Sequence, residues 1–226
     1  MICNLTKDNI KWRTCKLSEL GIFNRGVSKH RPRNDKRLFI DGKYPFVQTS
    51  DIKNANLYIY DCSAKYGELG LKQSKLWNKG TLCITIAANV ADTAILGTEM
   101  CFPDSIVGFN AYEKITTEEF VYYIFSYINE YIKRISHGST QDNINIDYLS
   151  TLEFKIPELN YQNKIVHLLK SIDERININN KINDNLFDYD MVAWPLISKG
   201  SKNSLIFLRL MFSQSLFIIN FLIEYA

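Results

Sequence analysis

Residues 138–186 read GSTQDNINIDYLSTLEFKIPELNYQNKIVHLLKSIDERININNKINDNL, and their reading decides the fold. A polar loop, Gly138 to Asn143, leads through a strand-like run to Pro157. A long helical pattern follows. Its apolar or amide positions fall at Ile165, Leu169, Ile172, Ile176, Asn179, Asn183 and Leu186. The steps alternate four and three, the seam of a coiled coil. Asn179 and Asn183 stand where apolar residues would give more stability, and a seam Asn fixes register and partner number. Two arrangements satisfy this pattern: a helix paired with a partner helix, or an amphipathic helix packed on its own domain.

Working back towards the start, residues 116–135 carry a second helical pattern. Thr116 stands as N-cap with Glu119 three residues on, a capping box, and Gly138 ends the run. Residues 38–112 read as short strands. Phe39-Ile40, an Asp41-Gly42 turn and Tyr44 to Val47 form an expected hairpin. Leu57–Tyr60, Thr81–Ala87, Thr93–Leu96 and Ser105–Phe109 are further strands, separated by turn signals at Gly67, Gly70, Gly80, Gly97 and Pro103. Trp12 to Phe23 reads as a helix or a strand–helix entry. The expected fold is therefore α+β, a small curved sheet followed by a long coiled-coil helix.

Composition sets bounds on what such a fold does. The chain has 226 residues, 46% hydrophobic and 23% charged, enough for one domain and an appendage. Net charge is only +3, so a nucleic-acid reading needs local clustering. Residues 25–37 supply it. Seven of these thirteen are Arg, Lys or His, against Asp35 alone. Pro32 and Asn34-Asp35 make the segment a loop. Lys29, Arg31, Arg33, Lys36 and Arg37 are candidates to neutralise phosphates; a solvated loop is the commoner use of such a run. The five cysteines, Cys3, Cys15, Cys62, Cys83 and Cys101, form no CxxC pair, which argues against a zinc site and a secreted disulfide framework. The first residues lack an apolar core of signal-peptide length, and a cytoplasmic location is expected.

The sequence carries no complete catalytic motif. Gly21 to Gly26 has phosphate-loop spacing, but Val27 stands where the Lys must be. There is no GxGxxG and no Asn/Asp-Pro-Pro-Tyr/Phe. Pro103-Asp104 with Glu113-Lys114 falls short of a nuclease site, and the three histidines show no ligand spacing. Base-reading groups are better represented. Gln and Asn pair with adenine, Arg and Lys with guanine, in the major groove. Gln48, Thr49 and Ser50 form one such group, Ser139, Thr140, Gln141 and Asn143 another, with Asn89 at the end of the central strand. Local turns and caps are the alternative use of these side chains.

Four segments in order carry a family resemblance. Tyr44-Pro45-Phe46-Val47-Gln48-Thr49-Ser50-Asp51-Ile52, Gly80 to Ala88, Gly138-Ser139-Thr140-Gln141 with Asn143-Ile144, and Gln162 followed by Ile172-Asp173-Glu174-Arg175-Ile176 together resemble one recognition half of a type I restriction–modification specificity subunit. The resemblance covers about residues 10–187. It implies a target-recognition domain over 1–157, a spacer and dimerisation helix over 158–190, and an apolar tail over 191–226. It tips the basic loop, Gln141 and Asn143 towards a DNA-facing role. It implies double-stranded DNA as ligand, with methyltransferase and restriction subunits as partners. Catalysis would sit on those partners, which would bring S-adenosylmethionine, ATP and magnesium; this chain would hold no cofactor. A helix of thirty residues rises roughly 45 Å and can act as a ruler between two recognition domains. A homodimer through the Ile165–Leu186 seam would make the target a split palindrome. A methyltransferase-associated fragment and a truncated subunit that assembles nothing are the competing readings.

The tail departs from the family's pattern. Asp188 to Pro195 is expected to break the helix. Leu205–Ala226 is apolar but carries Arg209 and Glu224, which favours packing on the coiled coil over a membrane span. A reading frame that ended or changed early would also give such a tail.

Overall fold

The computed structural model describes residues 10–87, 90–138 and 146–197. It divides into two units, residues 1–169 and 170–226. In chain order the first unit begins with β1 (Trp12–Lys16), α1 (Leu17–Leu20) and β2 (Gly21–Arg25). A short 3-10 helix at Lys36–Phe39 precedes β3 (Tyr44–Pro45), α2 (Thr49–Asn54), β4 (Tyr58–Ile59), β5 (Lys65–Tyr66) and α3 (Glu68–Lys72). Then come β6 (Leu76–Trp77), β7 (Leu82–Thr85), β8 (Thr93–Leu96), β9 (Met100–Cys101) and β10 (Ile106–Ala111). The series closes with α4 (Glu118–Gly138), α5 (Ile146–Thr151), β11 (Glu153–Pro157) and α6 (Leu159–Ile197).

The main sheet has five strands in the order β2-β10-β7-β8-β4. All pairs are antiparallel except β4 with β8. Its central strands are covered on both faces, which is why residues 81–86 read as an unbroken run rather than an alternating one. Leu82, Ile84, Ile95, Val107 and Phe109 face a cluster completed by Phe120, Val121, Phe125 and Ile132 of α4. The intervening residues Cys83, Ala94, Leu96 and Ile106 face a second cluster with Trp77, Met100 and Phe102. Gly108 lies on that second side, where a Cβ would come within 2.7 Å of the Trp77 ring and 2.8 Å of the Phe102 ring. Trp77 stacks on Phe102 at 4.6 Å between ring centroids, an arrangement adding about 0.5–1.5 kcal/mol beyond the area it buries. A third cluster, Leu38, Phe46, Tyr66 and Cys101, sits under the 3-10 turn.

The two ends of the first unit meet. β1 pairs antiparallel with β11, from Trp12 opposite Pro157 to Lys16 opposite Glu153. The strand expected before Pro157 therefore closes the domain on its own beginning. Beyond it, Gln162 is fully buried. Its amide Nε2 donates to the carbonyls of Ile115 at 3.0 Å and Pro157 at 2.9 Å, while its Oε1 accepts from Thr116 Oγ1 at 2.8 Å. Every polar atom of the amide is satisfied, so burial carries no orphan penalty. Val166 is buried in the same unit and Ile165 packs against its core.

Three local expectations are corrected. The hairpin across Asp41-Gly42 does not form. Tyr44 pairs with Tyr66 instead, and residues 36–39 wind into the 3-10 turn, with the Asp35 carboxylate accepting from the Arg37 N–H at 3.0 Å. Asp41 does turn the chain, at φ 51°. The cap of α4 is Thr117, not Thr116: its Oγ1 accepts from the Phe120 N–H at 3.2 Å, and Thr116 is turned to Gln162. The Glu119 carboxylate accepts from the Tyr58 hydroxyl at 2.9 Å. The α6 backbone runs through Asp188 and Pro195 to Ile197; proline removes one ladder donor near the end of the helix, and none of residues 188–194 is a strong breaker. Among the described residues no helix is long and apolar enough to cross a membrane. Of the tail expected over 191–226, residues 191–197 continue α6 and residues 198–226 lie outside the described residues.

Candidate nucleic-acid interface

The segment from β9 into the following loop, residues 100–104, is where three other parts of the chain converge. β6 pairs with it from Leu76 opposite Cys101 to Trp77 opposite Met100. Val47 donates its N–H to the Cys101 carbonyl at 2.8 Å. Val27 donates to the Phe102 carbonyl at 3.0 Å, and Gly26 to Ile106 at 2.8 Å. A Cβ on Gly26 would collide with the Pro103 carbonyl, so only glycine lets the basic loop start this close. The loop is fastened on its other side by residues 73–74. Lys29 donates to the Gln73 carbonyl at 3.2 Å, His30 N–H to Gln73 Oε1 at 2.9 Å, and Ser74 Oγ to the Val27 carbonyl at 2.7 Å.

This frame presents the five basic candidates outward. Lys29, Arg31, Arg33, Lys36 and Arg37 are all exposed. Their charges are not equally free. Arg37 makes a two-pronged contact with Asp35, Nε at 3.1 Å and Nη2 at 2.7 Å, and His30 Nε2 lies 2.9 Å from the same carboxylate. Hydrogen bonds from Arg37, then from His30, hold the Asp35 carboxyl well below the usual carboxylate range. Arg31 and Arg33 both reach Asp104. Lys29 and Lys36 have no acid partner among the described residues.

Gln48, Thr49 and Ser50 stand beside the same segment, at the start of α2. Gln48 and Ser50 are exposed and Thr49 is half-buried. The Gln48 N–H donates to the Asp51 carboxylate at 2.8 Å. Asn89, Ser139, Thr140, Gln141 and Asn143 lie outside the described residues. Sequence reasoning missed Lys72 and Lys75. Both are exposed and flank the Gln73–Ser74 strap, with the Lys75 ammonium 3.8 Å over the Trp77 ring. The signal was the string Lys72-Gln-Ser-Lys75, weak until the fold sets it beside the loop.

On α6, Ile165 and Leu169 are half-buried within the first unit. In the second unit Ile172 is 44% and Ile176 51% exposed, and Asn179 and Asn183 are exposed too. The Leu186 side chain lies outside the described residues. Ile178 and Ile182, off the seam, are also exposed, at 55% and 49%. Among the described residues no three His, Cys, Asp or Glu side chains gather as metal ligands. The described arrangement offers cations and amides to a polyanion.

Comparison with known proteins follows the same line. The family described as "Type I restriction modification DNA specificity domain" matches residues 9–187. The MjaIX type I restriction enzyme specificity subunit of Methanocaldococcus jannaschii is 25% identical over 178 residues, covering 76% of this chain and 40% of that protein. The chain thus spans less than half the length of that curated relative. Among solved structures, the HsdS subunit from Thermoanaerobacter tengcongensis aligns at TM-score 0.58 and 16% identity, covering 80% of this chain and 42% of its own. The S subunit of a type I restriction-modification system from M. genitalium aligns at TM-score 0.57 and 21% identity, covering 92% and 51%. At these identities the likeness is one of fold. The match over residues 9–187 shows more: this chain belongs to the type I restriction–modification DNA specificity family.

Proposed function

We propose that this chain recognises double-stranded DNA through the surface around residues 100–104 and directs partner subunits to a split target. The observation that carries the reading is the basic loop, strapped by Gln73 and Ser74 beside Gln48–Ser50, with Lys29 and Lys36 exposed and without acid partners among the described residues. Phosphate contacts from such cations fix register, and neighbouring amides and guanidiniums read base edges. The chain works without catalysis of its own. The methyltransferase partner brings S-adenosylmethionine, and the restriction partner ATP and magnesium. The exposed Ile172–Ile176 seam pairs two copies, which makes the target a two-fold symmetric one.

The test is binding of a labelled random-sequence duplex across salt concentration. Lys29→Ala/Lys36→Ala is expected to reduce the slope of log K against log salt by about 2, at roughly 0.9 per phosphate contact. An unchanged slope and affinity would contradict a DNA role for this loop.

A further inference from the structure

We infer that Asp104 is a specificity-determining positioning residue: it occupies Arg31 and Arg33 in the free protein and so withholds them from indiscriminate phosphate contact. The inference rests on the DNA reading above and deepens it. Asp104 stands 73 and 71 residues from the two arginines along the chain, and its Oδ2 and Oδ1 take one each. The Arg31–Asp104 contact is 3.5 Å. Arg31 is further fixed by donating Nη1 to the Ser28 carbonyl at 2.5 Å and the His30 carbonyl at 2.9 Å. These are surface groups, the Arg31 and Arg33 side chains 56% and 45% exposed and Asp104 35%. Ion pairs this exposed add little to stability. Their consequence lies in which charge a polyanion meets.

A random duplex offers only phosphates, and must compete with Asp104 for each guanidinium. Lys29, Lys36, Lys72 and Lys75 face no such competitor among the described residues. Non-specific binding therefore draws on the lysines. The arginines are held in a fixed geometry yet stay about half exposed, and the five donors of each guanidinium outnumber the bonds described. A guanine edge rewards such a fork through paired bonds to O6 and N7, which a phosphate approached at random does not. The neighbouring cluster works alike, since Asp35 holds Arg37.

The test uses the full chain and a labelled random-sequence duplex, titrated by fluorescence anisotropy between about 50 and 200 mM salt. Asp104→Asn is expected to tighten binding roughly three- to tenfold at the low end, as two released surface cations would. Its salt slope is expected to steepen by about 1–2. Asp104→Glu keeps the carboxylate and is expected to bind as the parent does. The gain is expected to vanish when Asp104→Asn is made in an Arg31→Ala/Arg33→Ala background. An Asp104→Asn protein that binds like the parent overturns the inference. So does a gain of equal size in the arginine-free background, which would mark a general effect of removing one negative charge. Lys29→Ala/Lys36→Ala, run in parallel, separates the two levels: a loss there with no Asp104 effect sinks the inference and leaves the DNA reading standing, whereas no loss there sinks the reading itself.

Discussion

Gln162 shows how one side chain can hold three segments. Its amide meets the chain just before α4, the end of β11 and the first turns of α6. Gln162→Ala would leave Thr116 Oγ1 and the Ile115 and Pro157 carbonyls without this partner, and is expected to cost about 2–4 kcal/mol in urea unfolding of the chain. A loss under 0.5 kcal/mol would show that water replaces the amide. The cysteines give a second expectation. Burial pushes the Cys62 and Cys101 thiols up to about 11 and raises Cys83 and Cys15 as well. At pH 8 these four are expected to resist Ellman's reagent until the protein is unfolded. The depressed Asp35 carboxyl has the opposite sign of linkage: its contribution is present above the ordinary carboxylate value near 4 and is lost as pH falls through the lower folded value. The Lys36–Phe39 turn is thus expected to keep its amide NMR shifts well below pH 4, where an unpaired carboxylate would already be protonated; shifts that change with a midpoint near 4 would contradict the pairing. Some of this was legible in the sequence and some was not. The basic loop announced itself by density, whereas Asp104 did not, because its partners lie more than seventy residues away. Gln162 reads in the sequence only as part of a family-like segment, since its partners at 115 and 116 are supplied by the fold.

Elements with a strong apolar period were read closely. The strand expected at Thr93–Leu96 is β8, and those at Thr81–Ala87 and Ser105–Phe109 overlap β7 and β10. The failure at residues 39–47 has a physical cause. Phe39-Ile40 looks like half a hairpin, yet Leu38 is buried over Tyr66 and Asp35 caps a turn, so local capping overrode the strand pattern. The helix α6 was found by its seam, but the uses of that seam differ along its length. Ile165 belongs to the first unit's core, whereas Ile172 and Ile176 are exposed. Ile172→Ser/Ile176→Ser is therefore expected to change unfolding free energy of the first unit by no more than about 0.5 kcal/mol. In light scattering the parent is expected near twice 26.3 kDa and the double variant near 26.3 kDa. A parent monomer would exclude self-pairing through this seam at the concentration measured.

At the scale of the whole molecule, net charge understates the chain's suitability for DNA. A balance of +3 is spread so that seven basic or imidazole groups fall within thirteen residues, and the fold brings Lys72 and Lys75 beside them. Recognition of a split target needs two such surfaces, and two-fold pairing of one chain would supply them. The most direct test is a selection of bound duplexes from a random-sequence library, using the purified chain together with the methyltransferase subunit proposed as its partner. Enrichment of two identical half-sites in inverted orientation, separated by a fixed spacer, is the expected result. Bound pools that remain random, while the complex itself forms, would contradict the claim that this chain reads DNA sequence.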